Sequence, residues 1–254
     1  MKKLILLSAI AISSLFASAQ DNNTWRWGVQ IGMHGNKAKF VGGMPNANAR
    51  FHQNTYGAAG LNFNVRYDYN QHWAFQCGLG FNSLGFEFAI AENYSFLKKG
   101  DHFTKINSGV GLVEVPVLAI YKFKPNCKNW KWTVSGGIVG VINGSETIDK
   151  QFNPNNDGQT TQPYISSTTI ANNSGNIHVR LLIGKEKLFR NGSIFNASFI
   201  WNAGSGVIAN STVNYTIDGQ TYQHQFTNKG NFFGFRFSYF LKPFKTAPAN
   251  AVKK

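Results

Sequence analysis

The chain has 254 residues and a formal net charge of +14, yet only 14% of its residues are charged, against roughly 25% in an ordinary soluble domain. Its 22 Phe, 9 Tyr and 6 Trp make it rich in aromatics, and beyond the N-terminal region no unbroken apolar stretch approaches the ~20 residues of a helical membrane span. The basic residues are scattered, with no basic helix or finger motif, which excludes nucleic acid as the expected partner and points to anionic lipid headgroups and lipopolysaccharide phosphates.

The first residues read as an export signal. Lys2 and Lys3 precede an apolar run from Leu4 to Phe16, and Ala17-Ser18-Ala19 matches a small-residue cleavage site. Residues 1–19 are expected to be removed, leaving Gln20 at the mature end. No Cys follows the small residues, which argues against a lipid anchor.

From there the chain alternates. Side chains on a strand point to opposite faces in turn, so an every-other-residue apolar pattern marks a strand with one greasy face. Trp25, Trp27, Val29, Ile31 and Met33 form the first such face. Leu61, Phe63, Val65 and Tyr67 form the second, and Trp73, Phe75, Cys77, Leu79 and Phe81 the third. Near Gly85 the phase changes, because Phe86 and Phe88 flank Glu87; a bulge or bend at that glycine is expected. The fourth face holds Val113, Val115, Val117, Ala119, Tyr121 and Phe123. Trp130, Trp132, Val134 and Ile138 make the fifth, and Ile177, Val179, Leu181 and Ile183 the sixth. Phe195, Ala197, Phe199 and Trp201 make the seventh, and Phe233, Phe235, Phe237, Tyr239 and Leu241 the eighth.

Connections between these strands alternate in length. Residues 69–72, 124–129 and 186–191 are short turns. Residues 35–56, 89–109, 143–175 and 204–230 are long and rich in Asn, Gly, Ser and Thr. Short turns on one side and long loops on the other are the asymmetry of outer-membrane barrels. The expected fold is therefore all-β: an eight-stranded antiparallel up-and-down transmembrane β-barrel over residues 20–241, with a periplasmic basic tail at 242–254. Val213 to Ile217 and Gln220 to Tyr222 flank Asp218-Gly219, a hairpin turn, and read as an extracellular extension. Were both arms to cross the membrane, the count would be ten. Tyr164 to Ile170 is a weaker segment of the same kind. Trp25, Tyr67, Trp73, Tyr121, Trp130 and Tyr239 fall near the periplasmic strand ends, as an aromatic girdle would. Cys77 lies on an apolar face and Cys127 in a turn, so two free thiols are expected rather than a disulfide.

The segment Leu112-Val113-Glu114-Val115-Pro116-Val117-Leu118-Ala119-Ile120-Tyr121-Lys122-Phe123 resembles a strand of the PorT-like outer-membrane barrels, a porin-type family of Bacteroidota. The resemblance implies a barrel without agreed catalytic residues, some of whose relatives are linked to protein secretion. It departs from many barrels at the end, where Phe240 or Phe244 is followed by a basic tail instead of a terminal aromatic that the barrel-assembly machinery would read.

The opposite, inward face carries the chemistry: Arg26, Gln30, Asn62, Asn64, Arg66, Gln76, Glu87, Glu114, Lys122, Lys131, His178, Arg180, Asn196, Arg236 and Ser238. An eight-stranded barrel is filled by its own side chains, and charges enclosed there must pair. Arg26, Arg66, Glu114, Lys122, Lys131, His178, Arg180 and Arg236 are accordingly expected to form a lumen network that plugs the barrel. None of the six histidines sits in a hydrolase motif, so no catalytic residue, cofactor or metal is expected. The function expected is structural, surface-binding or export-associated, exerted in the cell outer membrane through the long outer loops, with outer-membrane lipid, lipopolysaccharide, the assembly machinery and a secretion or surface protein as partners. The alternatives are a narrow pore for small solutes and, third, a lipid-modifying enzyme.

Overall fold

Hydrocarbon offers no hydrogen-bond partner to a backbone, so strands cross it only when each is paired on both sides. That condition is met here. The computed structural model describes residues 24–36, 38–43, 51–91, 103–125, 130–144, 146–152, 164–172, 175–217 and 219–243. The expected signal segment, Cys127, Asp218, Phe244 and most of the basic tail lie outside these residues. Fourteen strands are present among the described residues: β1 (Thr24–Asn36), β2 (Lys39–Gly43), β3 (Phe51–Asn54), β4 (Tyr56–Asp68), β5 (Trp73–Ala91), β6 (Phe103–Lys122), β7 (Trp130–Ile142), β8 (Glu146–Phe152), β9 (Tyr164–Ala171), β10 (Gly175–Leu188), β11 (Ile194–Gly204), β12 (Ala209–Ile217), β13 (Gln220–Asn228) and β14 (Phe232–Phe240).

Eight of them close a barrel in the order β1-β4-β5-β6-β7-β10-β11-β14, with β14 pairing back onto β1. Every pairing is antiparallel. The seam sets Gly28 opposite Phe240 and Asn36 opposite Phe232. It needs close approach: a Cβ on Gly234 would run into the Met33 carbonyl oxygen and the His34 Cα. The outward positions are apolar and open, from Met33, Phe81 and Phe233 at one end to Tyr239 and Leu241 at the other. Cys77 is on this lipid-side set and is free. At the periplasmic end Trp25 packs on Tyr67 with ring centroids 4.6 Å apart, Trp73 on Tyr121 at 5.0 Å, and the Lys187 ammonium sits 5.6 Å above the Trp130 ring.

The remaining strands lie beyond the lipid band. β2, β13, β12, β9 and β8 form a second, five-stranded sheet, and β3 extends the sheet edge beside the upper part of β5. Both arms of the hairpin β12–β13 belong to this second sheet, so the barrel has eight strands and not ten. The segment 164–171 is a strand of the same sheet.

Two expectations are corrected here. Residues 89–109 are not simply a loop: β5 runs on to Ala91 and β6 begins at Phe103, because the two continue as one long hairpin. No bulge marks Gly85: Cys77 stands opposite Val117, Gly85 opposite Gly109 and Ala91 opposite Phe103, a single unbroken register. What changes at that point is the surroundings. Below it the even-numbered face of β5 meets a polar lumen through Gln76 and Asn82. Above it the same face turns apolar, with Leu84, Phe86 and Phe88 buried against the second sheet. Outward positions change the opposite way, from Leu79 and Phe81 to Ser83, Gly85 and Glu87, where the strand leaves hydrocarbon.

The apolar core of the protein therefore sits at the extracellular mouth. Leu84, Phe86, Phe88, Ile106, Val110 and Leu112 of the hairpin pack with Ile165, Val213, Tyr215 and Phe226 of the five-stranded sheet. Phe88 and Phe226 meet with ring centroids 4.8 Å apart. This sheet, packed on the upper β5–β6 hairpin above the lipid band, is the cap.

Candidate functional site, a crossed lumen beneath an extracellular cap

Inward side chains form two charged layers. The periplasmic layer is centred on Asp68. Arg26 Nε donates to its carboxylate at 2.9 Å, Arg66 Nη2 at 2.9 Å and Lys122 Nζ at 3.0 Å. Arg66 also reaches across to Glu186 on β10, where Nη1 donates at 2.8 Å. Lys122 Nζ donates further to the Asn70 carbonyl, and Arg26 Nη1 to that of Gly192, so the layer is tied to two periplasmic turns. The Arg66 guanidinium lies over the Phe240 ring.

The second layer is nearer the cap. Glu114 is fully buried, and Arg180 Nη2 donates to both of its carboxylate oxygens at 2.9 Å. Arg236 approaches at 3.5 Å and Asn82 Nδ2 donates at 2.9 Å. Arg180 Nε donates to Asn202 Oδ1, and Asn202 Nδ2 lies 2.8 Å from His178 Nδ1. Between the layers, Arg236 Nη1 donates to Gln30 Oε1, while Gln30 Nε2 donates to Ser238 Oγ. In a low-dielectric interior such mutual pairing is what makes enclosed charge tolerable.

Of the residues expected in the lumen, Arg26, Arg66 and Lys122 meet in the first layer, and Glu114, Arg180, Arg236 and His178 in the second. Lys131 does not join them. It faces Glu186 in register but makes no ion pair among the described residues. Glu87 is not inward at all. It lies above the membrane, 3.5 Å from Lys105. Asp68 and Glu186, which with Glu114 supply the carboxylates of the two layers, are missing from the expected lumen set: Asp68 is the last polar position of its strand, and Glu186 falls in the expected turn 186–191 although β10 runs on to Leu188. Among the described residues no three His, Cys, Asp or Glu side chains converge to hold a metal.

A lipid-facing apolar surface around an enclosed ionic interior, on a sheet closed upon itself, defines a membrane-spanning β-barrel protein. Residues 16–232 match the outer membrane protein beta-barrel domain family, and the chain belongs to that family of outer-membrane barrels. Solved structures similar to it include the outer membrane protein OprG from Pseudomonas aeruginosa, at 9% identity and a TM-score of 0.44 over 87% of this chain and 95% of that one. AlkL, determined in DMPC bilayers, shares 14% identity at a TM-score of 0.40, covering 92% of this chain and 96% of its own. A major outer membrane protein from Thermus thermophilus shares 11% identity at a TM-score of 0.40 over 87% and 99%. No curated protein matches the sequence.

Proposed function

We propose that this is a non-enzymatic, non-conducting outer-membrane barrel whose role is to hold an extracellular β-cap for a surface or export-associated partner. The observation that carries the reading is the double closure of the path. Arg180 and Arg236 both reach Glu114 inside the lumen, and above them an apolar core is packed between the cap and the upper β5–β6 hairpin. A narrow pore would need both to open. The resemblance of residues 112–123 to PorT-like barrels favours export machinery among the partners, and the leader at 1–19 is part of the same proposal. Planar-bilayer recording of the folded, full-length protein is the test: no channel events are expected, and sustained unitary currents would overturn the reading.

A further inference from the structure

Below the cap, the outward face of the barrel meets hydrocarbon and is uncharged on seven of its eight strands among the described residues. The exception is β10. Its outward positions pass through Ile177, Val179, Leu181 and Ile183 and end in Lys185 and Lys187, at the periplasmic side. Arg190, exposed in the turn that follows, adds a third cation. A charge on the lipid face of a barrel is costly at the midplane and tolerated near the interface. Two lysines confined to one strand end therefore sit at the level of the headgroups.

Their setting is ordered. Lys185 stands opposite Trp132 and Lys187 opposite Trp130 on β7. The Lys185 ammonium lies 4.5 Å from the centre of the Trp132 ring, and that of Lys187 lies 5.6 Å from Trp130 and 5.5 Å from Phe189. A ring face attracts an ammonium and still leaves N–H donors on its far side. Neither lysine makes an ion pair among the described residues. The carboxylate between them in sequence, Glu186, points inward to Arg66. The patch is two positioned cations on the membrane face with no protein anion to match them.

We propose that Lys185 and Lys187, with Trp130 and Trp132, bind a phospholipid that carries two phosphates, a diphosphatidylglycerol, in the periplasmic leaflet. Alternate positions on a strand lie about 6.8 Å apart on one face. Two phosphodiesters joined through a three-carbon glycerol bridge can meet one lysine each, whereas a lipid with a single phosphate leaves one lysine unmatched. The phosphates of lipopolysaccharide lie in the opposite leaflet and do not reach this end. The acyl chains run up the apolar face beyond, over Ile183 and Val134, which are exposed and stand opposite each other.

The test uses the full-length protein folded in neutral detergent micelles and titrated with diphosphatidylglycerol, with bound lipid counted by native mass spectrometry. One lipid should bind per barrel, at least about tenfold more tightly than phosphatidylglycerol. The double variant Lys185→Gln, Lys187→Gln removes charge from a lipid-facing surface and should stay folded, as the gel mobility of unheated samples will report. It should bind at least about tenfold more weakly. The pair Lys185→Arg, Lys187→Arg should retain binding, and so should Lys39→Gln, which removes an exposed cation from β2 above the membrane. Unchanged binding by the folded double glutamine variant overturns the proposal. Equal affinity for phosphatidylglycerol overturns it too, as does an equal loss on Lys39→Gln, which would reduce the effect to net charge. Neither the lumen nor the cap takes part, so failure here leaves the closed-barrel reading standing.

Discussion

Glu114 is the residue whose removal says most about the closed lumen. The Glu114→Gln change keeps shape and one acceptor oxygen while deleting the charge that two buried guanidiniums share. A unit charge pair at about 4 Å is worth roughly 4 kcal/mol at an effective dielectric of about 20. Arg180, touching both oxygens at 2.9 Å, loses most of that; Arg236, at 3.5 Å and already bonded to Gln30, loses less. Breaking a buried pair from one side characteristically costs about 3–5 kcal/mol, because the surviving charge is stranded. We expect Glu114→Gln to lower unfolding free energy by about that amount, measured by urea unfolding in lipid vesicles through tryptophan fluorescence and the gel mobility of unheated samples. Adding Arg180→Met removes the stranded cation and should recover about half of the loss, giving a large coupling in a double-mutant cycle. A loss below about 1 kcal/mol for Glu114→Gln, or simple additivity in the cycle, would refute the idea that this layer holds the lumen shut.

Phe88→Ala should cost about 3–5 kcal/mol of cap packing while leaving the barrel inserted, so limited proteolysis should cut the outer strands of the variant and spare the spanning ones. His224, outside the membrane, is held below the usual histidine value of 6.5 by burial against the cap and lies 2.8 Å from the Tyr215 hydroxyl. The unfolded cap therefore binds the proton more readily than the folded one, and cap stability is complete above pH 6.5 and declines as pH falls below it. Protease resistance of β12–β13 should fall as pH drops from about 6.5 to about 5, and His224→Gln should flatten that dependence. Gly234→Ala places a methyl against the Met33 carbonyl at the seam and should weaken closure by about 1–3 kcal/mol, seen as heat-modifiability at a lower temperature.

The spanning strands were legible because hydrocarbon imposes one simple rule on every second residue, and Trp27, Phe63, Leu181 and Phe235 obey it. Arg26, Arg66, Lys122, Arg180 and Arg236 were legible for the complementary reason, whereas Lys131, assigned by the same alternation, makes no ion pair among the described residues. The long β5–β6 hairpin was not, since Leu84, Phe86 and Phe88 continue the same face while its solvent changes from polar interior to apolar cap; a reader of alternation alone sees a fault in the strand. The cap strands were hard for another reason. Their buried positions include Ser167, Thr169 and Ser211, with the Thr169 and Ser211 hydroxyls 2.9 Å apart, and hydroxyl-rich segments look like loops until their partners are known.

The cap and the hairpin it packs on draw on all four outer connections of the barrel: β2 comes from the first, the upper hairpin of β5 and β6 from the second, β8 and β9 from the third, and β12 and β13 from the fourth. Their greasy residues must each be carried across the bilayer separately and can collapse together only on arrival. The finished dome is thus a receipt for complete translocation. A chain with one hairpin still on the wrong side leaves the others frayed and open to any protease outside the cell, so the architecture itself distinguishes a fully threaded molecule from a stalled one.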